Sequence, residues 1–313
     1  MDFFTRVEAR RLPPLYYADR LVCLGSCFAD RIGQLFHAAR FQTLVNPHGV
    51  LFNPQTIADT VLHVLTPVPP TTLCLQNGLW VSLDYHSQLA ASSREEALEK
   101  ITNAHEQLRN GLERAQWLIL TMGTAWVYRS CTTRQVVANC HHFPASDFVR
   151  ELLTEQEIVK TWKDAIEQLR GCNPALRVLL TVSPVRHLRD GMMDNSVSKA
   201  TLLLAVHRLV HEMKEVYYFP SYEIMMDELR DYRFYEADMT QPNSTARQYI
   251  WSRLIEAWFA PETRKLLASI EQYRKMKEHI PHNTSGEAYN TFVRKREALG
   301  IEIEAALTHF QKH

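Results

Sequence analysis

A three-layer α/β/α domain with a parallel central sheet is the architecture this sequence predicts, and three observations carry it. Arg20–Gly25, Trp117–Met122 and Arg177–Val182 are almost continuously apolar after their first residue, the pattern of parallel strands buried on both faces. Between them lie segments of helical period long enough to serve as crossovers. The 313-residue chain is also 46% hydrophobic, ample for such a core.

In order along the chain, the first strand leads into a helix over 28–40, and Pro54 at a helical first turn opens a second over 54–65. A short alternating run over 79–84, followed by Tyr85 and His86, reads as an extra strand in an insertion. Residues 94–114 place Ala97, Ile101, Ala104, Leu108 and Leu112 on one stripe, which predicts a long amphipathic helix. The second core strand follows, then a hairpin of 125–129 against 135–139. Helices over 155–170, 196–214 and 244–259 alternate with the strand Arg177–Val182 and a further strand over 215–219. These elements make one domain over residues 1–260. Residues 261–313 are charged and polar, with helices expected over 262–277 and 288–310, and read as a solvated C-terminal extension that could be deleted without unfolding the core.

Charge and cysteine content exclude several classes. Thirty-five basic residues balance thirty-five acidic ones, so no global field draws the chain to nucleic acid or an anionic membrane. No apolar run approaches a membrane span, and the first fifteen residues lack the apolar region of a secretory signal, so a cytoplasmic location is expected. Six cysteines without a C-x-x-C pair suggest free thiols, and neither metal nor cofactor is expected. The oligomeric state is not legible, there being no coiled-coil seam.

Glycine is scarce, ten in 313 residues, so each one invites a structural reason. Gly25-Ser26 ends the first strand and precedes a helix. A serine there sits where open α/β sheets bind ligands, although the same position suits a helix N-cap. Gly123 directly follows Trp117–Met122, where a missing Cβ lets the backbone amide approach a ligand oxygen or simply permits a turn. Asn139 could add a side-chain amide donor or form an Asx-turn.

These positions fall within a wider resemblance. Gly25-Ser26-Cys27-Phe28-Ala29, Asn46-Pro47-His48-Gly49-Val50-Leu51-Phe52-Asn53-Pro54, Gly123-Thr124-Ala125-Trp126-Val127-Tyr128, Val137-Ala138-Asn139-Cys140-His141, Ser183-Pro184-Val185-Arg186-His187-Leu188 and Tyr218-Phe219-Pro220-Ser221-Tyr222-Glu223 resemble, in order, the blocks of the GSCFA family. The resemblance implies an SGNH-hydrolase, flavodoxin-like domain and acyl-ester chemistry, as a serine esterase or O-acyl transferase on a small-molecule or carbohydrate ester. It implies Ser26 as nucleophile, with the Ser26 amide, the Gly123 amide and the Asn139 side chain as oxyanion donors, and a late D-x-x-H block supplying aspartate and histidine.

The late block departs from that pattern. Asp238-Met239-Thr240-Gln241-Pro242-Asn243 supplies the aspartate in Asp238 but has Gln241 where the resemblance implies histidine. An amide cannot accept and return a proton near neutral pH, so activity is expected to be impaired unless another base serves; the alternative is a catalytically silent ligand-binding member of the same fold. His187 is the first substitute base, because it follows the strand Arg177–Val182 at the same sheet edge as Ser26; His142, His141 and His86 come next. Arg186 and Arg189 could bind a carboxylate or phosphate, or pair with Asp190 or Asp194, and Asn195 or Ser196 is expected to cap the following helix.

Overall fold

The computed structural model describes residues 5–67, 69, 71–279 and 286–312. In chain order the elements are β1 (Arg20–Gly25), α1 (Cys27–Ala38), β2 (Gln42–Val45), α2 (Pro54–His63), β3 (Leu73–Gln76), β4 (Leu79–Ser82), α3 (Arg94–Arg114), β5 (Trp117–Met122), β6 (Trp126–Ser130), β7 (Val136–Val137), β8 (Phe148–Leu152), α4 (Glu155–Cys172), β9 (Arg177–Val182), α5 (Met192–Glu212), β10 (Val216–Tyr218), α6 (Ser221–Glu223), α7 (Ser244–Trp258), α8 (Pro261–Glu278) and α9 (Glu287–Lys312). The chain passes from α6 directly into a π-helical turn, Ile224–Glu228.

Five strands form the predicted parallel sheet, in the order β10-β9-β5-β1-β2. Strand alternation divides the core between its two faces. Val22 and Leu24 of β1 pack with Ile57 and Val61 of α2, Leu108 of α3, Ile166 of α4 and Leu202 of α5. Leu21 and Cys23 point the other way, towards Phe36 of α1 and Ile250, Trp251 and Trp258 of α7. The helices between are closed by their own side chains: Asn53 accepts from the Thr56 amide at the start of α2, and Thr154 and Glu157 form a reciprocal capping box on α4.

Counting core strands alone, the order is 2-1-3-4-5, so the chain reverses direction across the sheet between β1 and β5. The carboxyl ends of those strands flank the crevice in which such sheets bind ligands. Ser26 and Gly123 stand at those two ends.

Smaller sheets flank this core. The run at 79–84 is the second strand of the antiparallel hairpin β3-β4, and the expected hairpin after β5 forms as β6-β7 with β8 added along β6. The half-buried strands β2 and β8 were not expected; each is only four or five residues long with mixed polarity, too short for periodicity to reveal.

The last two helices differ from a solvated extension. Leu266, Leu267 and Ile270 of α8 and Ile303 and Leu307 of α9 are buried in the same cluster as Phe36, Trp251 and Trp258. Thr263 Oγ1 donates to the Leu15 carbonyl, and Phe310 lies 6.1 Å from the Tyr17 ring. Sparse apolar residues on strongly charged helices still form a narrow contact stripe, which average composition conceals. The polar separator at 281–285 lies outside the described residues.

Candidate active site

The Gly25 backbone turns at φ +133°, and a Cβ there would overlap the Thr121 carbonyl on neighbouring β5. Only glycine fits this close approach. The next residue, Ser26, is 1% exposed and caps α1, its Oγ accepting from the Phe28 amide at 3.3 Å. Its own amide donates to the Thr121 carbonyl at 3.1 Å. The N-cap and the strand-end serine of the sequence reading are therefore one residue in one conformation.

The segment 46–53 crosses over this turn. Asn46 Oδ1 accepts from the Gly25 amide at 2.8 Å, and the Leu51 amide donates to the Gly25 carbonyl at 3.0 Å. The Phe52 carbonyl accepts from both the Gly123 amide, at 2.7 Å, and the Thr124 amide, at 3.0 Å. Two of the three expected oxyanion donors, the Ser26 and Gly123 amides, are thus occupied by backbone carbonyls in this conformation. Asn139 forms the Asx-turn weighed as its other role, Oδ1 accepting from the His141 amide at 2.9 Å.

Gly123 is where the candidates converge. A Cβ on it would stand 2.9 Å from the Phe52 carbonyl oxygen, 3.3 Å from Ser26 Cβ and 3.5 Å from His187 Nε2, so serine, imidazole and segment 46–53 all close on this one glycine. The Phe52 ring meets the His187 ring edge-on at 6.0 Å. His187 Nε2 is buried and has no hydrogen-bond partner. Burial, and next the Lys199 ammonium, push its pKa down to about 4; the Gly123 backbone opposes this but is not aligned for a hydrogen bond. The imidazole is accordingly neutral at physiological pH, the state a base requires.

Lys199 was not expected. It is 1% exposed, and its ammonium donates to the Gly123 carbonyl at 2.6 Å and to the Ser183 carbonyl at 2.7 Å. Burial pushes its pKa down to about 7. A signal was available: Lys199 shares the stripe of Leu202, Val206 and Leu209, and a lysine on the apolar face of a helix is rarely accidental.

The other three candidate histidines are engaged elsewhere or exposed. His141 is buried, and its Nε2 contacts the Ser82 carbonyl at 2.7 Å and the Tyr85 carbonyl at 3.2 Å; burial lowers its pKa. His86 Nδ1 accepts from the Gln88 amide, capping a short turn, and His142 is exposed.

The late block lies beside the His187 segment, the Arg186 amide donating to the Thr240 carbonyl at 3.1 Å. Asp238 is exposed, and its Oδ1 accepts from the Thr240 amide at 2.8 Å and the Gln241 amide at 3.1 Å, which holds its carboxyl below the usual range. Gln241 is half-buried, its carbonyl accepting from Glu236, and Asn243 caps α7.

Two expectations about the neighbouring loop are corrected. Asp194 pairs with Arg150, at 3.1 Å, rather than with Arg186 or Arg189, because β8 brings Arg150 across it; the Asp190 side chain lies outside what is described. The Arg186 guanidinium instead lies over the Tyr235 ring at 4.8 Å. Neither Asn195 nor Ser196 caps α5, which begins earlier, at Met192, behind Gly191; Asn195 Oδ1 accepts from the His187 amide at 3.0 Å and so fixes that loop.

Among the described residues, no group of three or more His, Cys, Asp and Glu is placed to hold a metal ion, and no helix is long and apolar enough to cross a membrane. The family model of the GSCFA family matches residues 20–254, well over half of the chain and the stretch that contains every residue of this crevice. No curated protein matches the sequence.

Proposed function

The chain belongs to the GSCFA family, and from that premise we propose that it is an SGNH-type serine esterase or O-acyl transferase in which Ser26 is the nucleophile and His187 the base. The observation that carries the reading is the convergence on Gly123, at whose Cβ position Ser26 Cβ would lie 3.3 Å, His187 Nε2 3.5 Å and the Phe52 carbonyl oxygen 2.9 Å away. Once the Phe52 carbonyl is displaced, a substrate carbonyl carbon beside Gly123 would meet a serine at a helix N-terminus, whose dipole favours the oxyanion that follows attack. The neutral imidazole would accept the hydroxyl proton and return it to the leaving alkoxide. Oxyanion stabilisation by the Gly123 amide requires the Phe52 carbonyl to yield it, so segment 46–53 would move as substrate enters. The substrate class is an acyl ester of a small molecule or carbohydrate, and the site needs no metal or cofactor for this chemistry.

A second reading, a silent ligand-binding site, is favoured by one specific observation: the Ser26 and Gly123 amides are both bonded to carbonyls. A fluorophosphonate probe separates the two. With His187 as base, labelling of Ser26 should fall by about 100-fold or more in His187→Ala. Because the base works only when neutral, its acid limb should lie near pH 4, the value to which burial pushes His187. Absence of Ser26 labelling from pH 4 to 9, in about that range, would leave the silent reading standing.

A further inference from the structure

The mechanism just given leaves a fully buried cation unused. Lys199 lies beneath the crevice with its ammonium on the carbonyls that end β5 and β9, Gly123 at 2.6 Å and Ser183 at 2.7 Å. Both carbonyls sit at positions that bear on the site: Gly123 has Ser26 Cβ and His187 Nε2 packed against its Cβ position, and Ser183 begins the loop that carries His187. Ser183 is fully buried, and its amide donates to the Met122 carbonyl, so the two strand ends are already joined by one bond. We infer that Lys199 is a positioning residue of the serine centre, cross-linking the carboxyl ends of β5 and β9 so that Gly123 and the His187 imidazole are held against Ser26.

The inference rests on Ser26 and His187 being the reacting pair, but its physical basis is separate. A lysine whose only task was to fill space would be replaced without penalty by an apolar chain, since burying an ammonium is costly. The arrangement here spends that cost on two short hydrogen bonds to carbonyls that have little else to accept, given that β5 and β9 end there. It also places a positive charge where it disfavours protonation of His187, the effect of Lys199 adding to that of burial. The groups around the pair are few. The Tyr222 ring lies 6.0 Å from the Lys199 ammonium, Arg186 and Arg189 flank His187 on its own loop, and Asn195 holds the His187 amide. Among the described residues no carboxylate is bonded to either Lys199 or His187. Among the described residues the orientation of the imidazole thus rests on the backbone of its loop, which Lys199 ties to β5.

The test follows the His187 ring signals by NMR across pH in the full chain, alongside fluorophosphonate labelling of Ser26. In the unaltered protein, His187 should titrate near 4 and show a second, smaller inflection near 7 as Lys199 loses its proton. A ring signal without that second inflection overturns the link. In Lys199→Met, the His187 titration should rise by about one pH unit or more, and Ser26 labelling at neutral pH should fall about tenfold. A folded Lys199→Met protein with both readouts unmoved overturns the proposal. Should that variant fail to fold, the inflection in the unaltered protein decides alone. If Ser26 is unlabelled in both proteins while the titration moves, the nucleophile reading fails and the tie between Lys199 and His187 stands.

Discussion

Two loops meet at the carboxyl edge of the sheet, 183–187 and 238–241, joined by the hydrogen bond from the Arg186 amide to the Thr240 carbonyl. The first is held by partners distant in sequence: Met122 at its start, Lys199 on its Ser183 carbonyl, and Asn195 on the His187 amide. The second is held mostly by itself, the Asp238 carboxylate closing on amides two and three residues ahead. The difference teaches how firmly each loop fixes the side chains it carries. An imidazole on the first loop is placed by two elements, β5 through Met122 and α5 through Lys199 and Asn195, and its Nε2 is buried. A side chain on the second sits on a self-contained turn, with Gln241 half-buried and its amide held by Asp238.

The largest expected effect lies at the end of β1, where Ser26 is positioned against β5. Gly25→Ala would drive a Cβ into the Thr121 carbonyl at a φ of +133°. Loss of cooperative thermal unfolding, or a fall in stability beyond about 3 kcal/mol, is expected, against under about 1 kcal/mol for Asp238→Ala on the second loop. Comparable melting curves for the two variants would erase the contrast.

Next in size is the pH dependence of stability. Lys199 has a folded pKa lowered from 10.5 to about 7, so its contribution is complete above the unfolded value and is lost as pH falls towards 7. Chemical denaturation should show stability rising by up to about 1.4 kcal/mol per pH unit between those values, and this rise should vanish in Lys199→Met. A flat profile in the unaltered protein would mean that Lys199 is not buried as a charged group.

The smallest effect sharpens the comparison from the other side. Gln241→His places an imidazole on the self-contained loop; with His187 as the proposed base, Ser26 labelling should increase by no more than about tenfold while the acid limb stays near pH 4. A larger increase, with the limb moving to the ordinary histidine range, would transfer the base to residue 241 and displace His187 from the mechanism.

The parallel core was legible because its strands are buried on both faces, leaving unbroken apolar runs in β1, β5 and β9. Their order was not, because lateral neighbours are chosen by packing between helices rather than by any one segment. Ser26, Gly123 and His187 could be picked out as strand-end residues and by resemblance. That His187 and not His141 or His86 lies against Gly123 depends on how three loops fold over one edge. The occupied amides were invisible for the same reason: Phe52 is more than seventy positions from the glycine whose amide it accepts. Lys199 alone left a trace that periodicity could have caught.

Burial of α8 and α9 has a consequence for the boundaries of the molecule. The stretch shared with the family ends at 254, within α7, yet the aromatic cluster behind the sheet is completed by Leu266, Ile270, Ile303 and Leu307 from beyond it and by Leu12, Leu15 and Tyr17 from before it. The unit that descent recognises and the unit that folds are therefore different lengths of chain. Both flanks act as staves closing one side of the same barrel of side chains, so a fragment cut at the family's limits would carry the whole crevice on an unfinished hull.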